Sequence, residues 1–67
     1  MTKEERKILQ EYIMHREAYY LADVDYWRDE FRQFPFPAIA SSLSNALLRL
    51  EVFEDFRNQI LSLLDYQ

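Results

Sequence analysis

The segment Phe34-Pro35-Phe36-Pro37 places the strongest constraint on the fold, because it holds both prolines of a 67-residue chain that has no glycine. Proline lacks an N–H group and disfavours helix in the residue before it, so a helix that reaches this segment must end. Pro37 can then begin a new helix, because the first N–H groups of a helix have no partner within it. The segment therefore predicts a tight turn between two helices.

The first helix is predicted over residues 3–33. Thr2 and Glu5 have the spacing of a capping box, in which each side chain accepts a hydrogen bond from the other residue's backbone N–H. No glycine or proline then interrupts the chain before the turn, and the segment is rich in residues that favour helix. Asp23 and Asp25 mark its weakest part, where a kink or break is easiest.

The second helix is predicted over residues 37–66, and a later start capped by Ser41 or Ser42 is the alternative. Two helices joined by so short a turn lie antiparallel. The sequence thus predicts an all-α fold, a single helical-hairpin domain over residues 1–67 with helices at about 3–33 and 37–66.

Apolar residues form stripes at helical spacing in both halves. In the first helix, a stripe that steps by four and three residues adjoins a second stripe, which Arg16 interrupts. The first consists of Ile8, Tyr12, His15, Tyr19, Ala22 and Tyr26, and the second of Leu9, Ile13, Tyr20, Val24, Trp27, Phe31 and Phe34. The second helix has a seam of Ile39, Leu43, Ala46, Leu50, Phe53, Ile60 and Leu64, with Arg57 in register.

These stripes are wider than one partner helix requires. A single hairpin buries only the strip where its helices touch, so further apolar residues would remain in water. We therefore predict a homodimer that forms a four-helix bundle. The predicted oligomer interface consists of Leu48, Val52, Phe56 and Leu63.

Composition narrows the classes of function. Hydrophobic residues make up 49% of the chain, which argues against disorder, and the net charge of −4 opposes contact with nucleic acid or anionic membrane. Without cysteine, the chain has neither a disulfide nor a thiolate zinc site. The charged first residues do not resemble a secretory signal, and no apolar run approaches the roughly 18 residues of a membrane span. We expect a soluble, cytoplasmic protein.

No residue pattern indicates catalysis, a cofactor or a metal site. His15 is the single histidine, and Tyr12 stands where a di-iron bundle would have a glutamate, so His15 is interpreted as a core or edge residue. Arg16 and Arg57 could mark an anion site between the helices. Neighbouring carboxylates oppose that reading, and we expect both arginines to pair with Asp55 or Glu54 at the rim of the core.

Five large aromatic residues within the turn-proximal half of the first helix predict a binding surface for a heterologous protein. They point in more directions than one helix–helix seam can use, and tyrosine and tryptophan dominate protein interfaces. The predicted partner-binding residues are Tyr19, Tyr20, Tyr26, Trp27 and Phe31, with Trp27 as the anchor.

The leading hypothesis is a small non-enzymatic regulator or inhibitor, of a type common in bacteria and phages, that binds another protein through an apolar, aromatic helical surface. The alternative is a nucleic-acid-binding helical-hairpin dimer that uses Lys3, Arg6 and Lys7. A small all-helical enzyme ranks third, because the sequence does not bring convergent polar groups to a pocket.

Overall fold

The computed structural model describes residues 2–65 and shows two helices, α1 (Lys3–Gln33) and α2 (Pro37–Asp65), that contact each other as a hairpin. The all-α helical hairpin is therefore confirmed. The predicted bounds of α1 and the start of α2 are correct, whereas the predicted end of α2 at Tyr66 lies outside the described residues. The hairpin is 48 Å long, which agrees with the length of about 46 Å for 31 helical residues at 1.5 Å each.

The capping box at the start of α1 is formed as predicted. The Glu5 N–H donates to the Thr2 Oγ1 at 3.1 Å, and the Thr2 N–H donates to the Glu5 Oε1 at 3.3 Å. From there α1 continues through Asp23 and Asp25 without a break. Val24, which lies between the two aspartates, is buried in the seam with α2, and that packing outweighs their low helix propensity.

The turn is built from backbone hydrogen bonds around the prolines. The Phe34 N–H donates to the Glu30 carbonyl and ends α1, and the Phe36 N–H donates to the Phe34 carbonyl across Pro35, each at 2.7 Å. The Phe36 carbonyl then accepts the N–H groups of Ile39 and Ala40, which starts α2.

The alternative start of α2 at a serine cap is wrong. The Ser42 hydroxyl donates to the Ala38 carbonyl at 3.2 Å, one turn back within the helix. Pro37 at the first helical position makes an earlier start favourable, because proline has the φ angle that the helix needs.

The core is a narrow seam between the helices. Of the described residues, Ile13, Val24, Ala46 and Leu64 are buried, and Ala46 is only 1% exposed. The α2 residues of this seam are those predicted from the sequence. On α1 the second stripe faces α2, and the first stripe faces outward. The hydroxyl groups of tyrosine require water or a partner, which favours the stripe with one tyrosine over the stripe with three as the buried one.

The Phe34 and Phe36 rings stack on each other at the turn and are 49% and 61% exposed in the single hairpin. The sequence predicts that at least one of the two rings caps the end of the bundle core against Phe31 or Ile39. Because that core includes a second hairpin, this stays a prediction.

An arginine closes the opposite end of the hairpin. The Arg6 guanidinium donates to the Leu64 carbonyl oxygen at 2.8 Å, close to the C-terminal end of α2. The last carbonyls of a helix lack intrahelical partners and carry partial negative charge, so a cation there is stabilising. This contact fixes the end of α2 against the start of α1.

The capping box predicts a measurable loss of stability on its removal. Thr2→Ala should lower the free energy of unfolding by about 1 kcal/mol, because the Glu5 N–H loses its acceptor. Thr2→Ser keeps the hydroxyl and should unfold close to the wild type. Urea denaturation followed by circular dichroism measures both variants, and equal midpoints for the two would contradict this role of Thr2.

Candidate functional site

The hairpin has two broad sides, which lie to either side of the seam. Two contacts identify one side on both helices: the Asp23 carboxylate binds the Arg49 guanidinium at 3.2 Å, and the Tyr20 and Phe53 ring centroids are 5.0 Å apart. Residues at helical spacing from these contacts share that side. We call it the aromatic face: Ile8, Tyr12, Tyr19 and Tyr26 of α1, and Leu48, Val52, Phe56 and Leu63 of α2, with Tyr20, Trp27 and Phe53 along its floor.

The outer residues of the aromatic face are exposed in the hairpin. Tyr19 is 63% exposed and Val52 is 61% exposed, and their neighbours on the same rows are similar. The floor residues Tyr20, Trp27 and Phe53 are half-buried. The face therefore carries an exposed row of apolar side chains on each helix, with Arg16, Asp23 and Arg49 among them, and water covers most of it in a single hairpin.

A groove lies in the middle of this face. It has a volume of about 440 Å³ and is lined by Tyr20, Leu48, Arg49, Val52, Phe53 and Phe56. Its walls are apolar apart from Arg49, whose guanidinium is held by Asp23. An open, apolar groove between two helices is suited to side chains that project from another helix.

Contacts among aromatic rings and one arginine restrict the side chains in the α1 part of the face. Tyr19 packs edge-on against Tyr20, with centroids 5.6 Å apart, and Tyr26 packs edge-on against Trp27 at 5.1 Å. The Arg16 guanidinium lies 5.6 Å from the ring centroids of both Tyr19 and Tyr20. Edge-on ring pairs and cation–π contacts restrict the rings, so less side-chain freedom is lost when a partner binds.

The opposite side of the hairpin is more polar. A second hollow there is lined by Gln10, Ile13, Met14, Glu17, Arg57, Asn58 and Leu61. The Arg57 guanidinium donates to the Glu17 carboxylate across the seam, and both side chains are about 70% buried, with 28% and 30% exposed. Leu21 and Leu47 are exposed on this side but have charged or polar neighbours on their rows.

The predicted pairing of Arg16 and Arg57 with Asp55 or Glu54 is therefore wrong. Arg57 binds Glu17, and Arg16 covers two tyrosine rings. Asp55 follows Leu48 by seven residues and Val52 by three, so it lies at the outer edge of the aromatic face and points away from α1. The sequence gives the level of a residue along the hairpin, but a residue at that level can point away from the neighbouring helix.

The structure brings most of the predicted site residues together. Tyr20, from the predicted partner-binding set, lines the same groove as Leu48, Val52 and Phe56 from the predicted oligomer interface. Leu63 shares their face, whereas Phe31 lies near the turn and is 37% exposed. The predicted partner-binding surface and the predicted oligomer interface are therefore parts of one surface. Ile8, Tyr12 and Phe53 belong to the predicted apolar stripes but to neither predicted site. For Ile8 and Tyr12, the steps of four and three residues along the outward-facing stripe were the sequence signal that could have added them to a site.

His15 is exposed beside the aromatic face, so its interpretation as a core residue is wrong, whereas an edge position agrees with the structure. Among the residues that the structure describes, no group of three histidine, aspartate or glutamate side chains could hold a metal ion. Within residues 2–65, neither helix combines the length and apolar character needed to cross a membrane.

The chain matches no protein-family model and has no significant match among the curated proteins or the solved structures.

The ion pair in the seam should contribute more than the pairs on the surface. Arg57→Met keeps the apolar stem but leaves the half-buried Glu17 carboxylate without its partner, so we expect a loss of roughly 1–2 kcal/mol in the free energy of unfolding. A double-mutant cycle with Glu17→Gln should show coupling between the two side chains.

Arg28→Met is the matched control, because Arg28 lies 3.9 Å from Asp25 with both side chains more than half exposed. We expect a change below about 0.5 kcal/mol for this variant. If both arginine variants unfold at the same urea concentration, the seam pair has no special role.

Proposed function

We propose that this chain is a small non-enzymatic protein-binding protein, of the regulator or inhibitor type, that acts by docking its aromatic face onto an apolar helical surface of another protein. The observation that carries this proposal is the presence of two exposed apolar rows on one side of the hairpin, the tyrosine row of α1 and the row of Leu48, Val52, Phe56 and Leu63 on α2. Monomeric proteins rarely leave apolar patches larger than a few hundred Å² in water, and larger ones mark interaction sites.

The charges on the aromatic face favour a protein over a nucleic acid as its partner. Arg49 is paired with Asp23, and Arg16 lies over tyrosine rings, so the two cations on the face already have partners within the hairpin. Binders of single-stranded nucleic acid place their aromatic rings in a basic groove. In the basic cluster near the N-terminus, Arg6 is held by the Leu64 carbonyl.

We further propose that, without a target, two copies pack through their aromatic faces as a four-helix bundle. The hairpin exposes 5496 Å², which is about 1,000 Å² more than a folded monomer of this mass is expected to expose. A stable interface buries about 800 Å² on each partner. The surplus therefore matches the surface that a second copy would cover.

A target and a second copy would use the same residues, because the two predicted surfaces lie on one face. Binding of a target then requires that the dimer dissociates. Occupancy of the target depends on the concentration of the chain as well as on the affinity of the face.

The dimer predicts a difference between two matched substitutions in α2. Val52 lies on the aromatic face and Leu47 on the opposite side, and both are exposed aliphatic residues. Val52→Glu should convert a dimer at micromolar concentration to a monomer, because a charge in an apolar interface is costly. Leu47→Glu should leave the dimer intact. Sedimentation velocity measures both.

A wild-type chain that sediments as a folded monomer throughout the micromolar range would contradict the dimer. Equal dissociation of the Val52→Glu and Leu47→Glu variants would contradict the assignment of the face.

The binding function predicts that Trp27 anchors the target. Trp27→Ala should weaken capture of the target about 30-fold or more, because truncation of a buried interface tryptophan often costs 2 kcal/mol or more.

Pull-downs from the native host with a photoreactive phenylalanine at position 26 identify the target, and the same group at position 21 labels the opposite side as a control. Tyr26→Ala, at a more exposed residue, tests the face if Trp27→Ala loses helicity.

Capture should weaken only modestly as salt is raised, because apolar contacts carry the affinity. Equal crosslinking from positions 21 and 26 would contradict docking on the aromatic face. Capture of nucleic acid alone, released by salt, would favour the nucleic-acid-binding alternative.

A further inference from the structure

The turn end of the hairpin leaves a pair of aromatic rings uncovered. The Phe34 and Phe36 rings stack 19° from parallel, with their centroids 6.4 Å apart, and are 49% and 61% exposed. Phe34 follows Trp27 by seven residues and Tyr20 by fourteen, so it extends the floor of the aromatic face to the turn. The apolar surface therefore reaches one end of the molecule.

Two hairpins can stack face to face about a two-fold axis in two ways. An axis along the length of the hairpin leaves both turns at the same end and places α1 of each copy over α2 of the other. An axis across the hairpin puts the turns at opposite ends and places each helix over its own counterpart.

We infer that the second copy binds in the first way, with both turns at the same end. This inference rests on the dimer proposed above and adds its geometry. Only this arrangement brings the exposed Phe34 and Phe36 rings of the two copies together, so that each pair covers the other.

The charges on the aromatic face are self-complementary in this arrangement. Asp23 and Arg49 bind each other within one hairpin, which shows that they lie at the same level along its length. When α1 of one copy lies over α2 of the other at the same level, Asp23 meets Arg49 of the second copy. The four charges then alternate in sign across the interface. Tyr19 likewise lies at the level of Val52 and Phe53 of the second copy, because Tyr20 contacts Phe53 within the hairpin.

The end-for-end arrangement is less favourable at the turn. It would place each turn over the open end of the other copy, where the charged residues Lys3, Glu4 and Glu5 begin α1. It would bring Arg16 near Asp23 of the second copy, but exposed ion pairs contribute little compared with the burial of aromatic rings.

Spin labels on single introduced cysteines test the arrangement, since the chain has no cysteine of its own. Arg32→Cys marks the turn end, and Lys7→Cys marks the open end; both residues are exposed, and helical spacing places both on the side opposite the aromatic face. With the turns at the same end, two labels at position 32 should lie about 35 Å apart or less, whereas labels at positions 7 and 32 in mixed dimers should lie about 50 Å apart. Pulsed electron paramagnetic resonance measures both distances.

The reverse result, a long 32-to-32 distance and a short 7-to-32 distance, would overturn the inference and leave the proposed dimer standing. A lack of any dipolar signal in labelled chains that keep their helicity would overturn the inference and the dimer together.

A second measurement depends on the phenylalanines themselves. The double variant Phe34→Ser, Phe36→Ser should raise the dimer dissociation constant about tenfold or more, because four exposed rings cover one another only when the turns meet. Leu21→Ser, on the opposite side, is the control and should leave the dissociation constant unchanged. An unchanged dissociation constant for the double variant would also overturn the inference.

Discussion

The structure depends on a geometric limit: two antiparallel helices touch along one line and can bury only the side chains on that line. Ile13, Val24, Ala46 and Leu64 occupy it, and the apolar residues beside it are half-buried or exposed. In a chain of 67 residues with 49% hydrophobic content, this limit leaves more apolar surface than the hairpin can cover. We propose that another protein surface covers the remainder.

Polar contacts join the two helices at two levels. Arg57 binds Glu17 within the seam, and Arg6 binds the Leu64 carbonyl near the end of α2. With the helices in this rotation, the tyrosine row of α1 and the apolar row of α2 lie on the same side. We expect the partly buried ion pair to favour this rotation over others, in addition to any stability that it contributes.

The sequence was sufficient for the parts of the fold that local chemistry controls. The prolines at 35 and 37 predicted the turn, the Thr2 capping box predicted the start of α1, and the steps of three and four residues predicted the α2 seam. It could not tell which stripe of α1 faces α2, because both stripes are apolar and have the same period. For the same reason the partner-binding and oligomer residues were assigned to separate surfaces. The rotation of each helix about its own axis decides whether the two sets of residues share one surface, and only the structure shows that rotation.

The aromatic face is proposed to be covered in the free protein, and hydroxyl-radical footprinting tests this residue by residue. At micromolar concentration we expect slow oxidation of Tyr19 and Tyr26, and fast oxidation of Met14 on the opposite side, which serves as an internal reference. Dilution below the dissociation constant should raise the tyrosine rates and leave the Met14 rate unchanged. Tyrosine rates that match the exposure of the single hairpin at every concentration would show that the face is not covered.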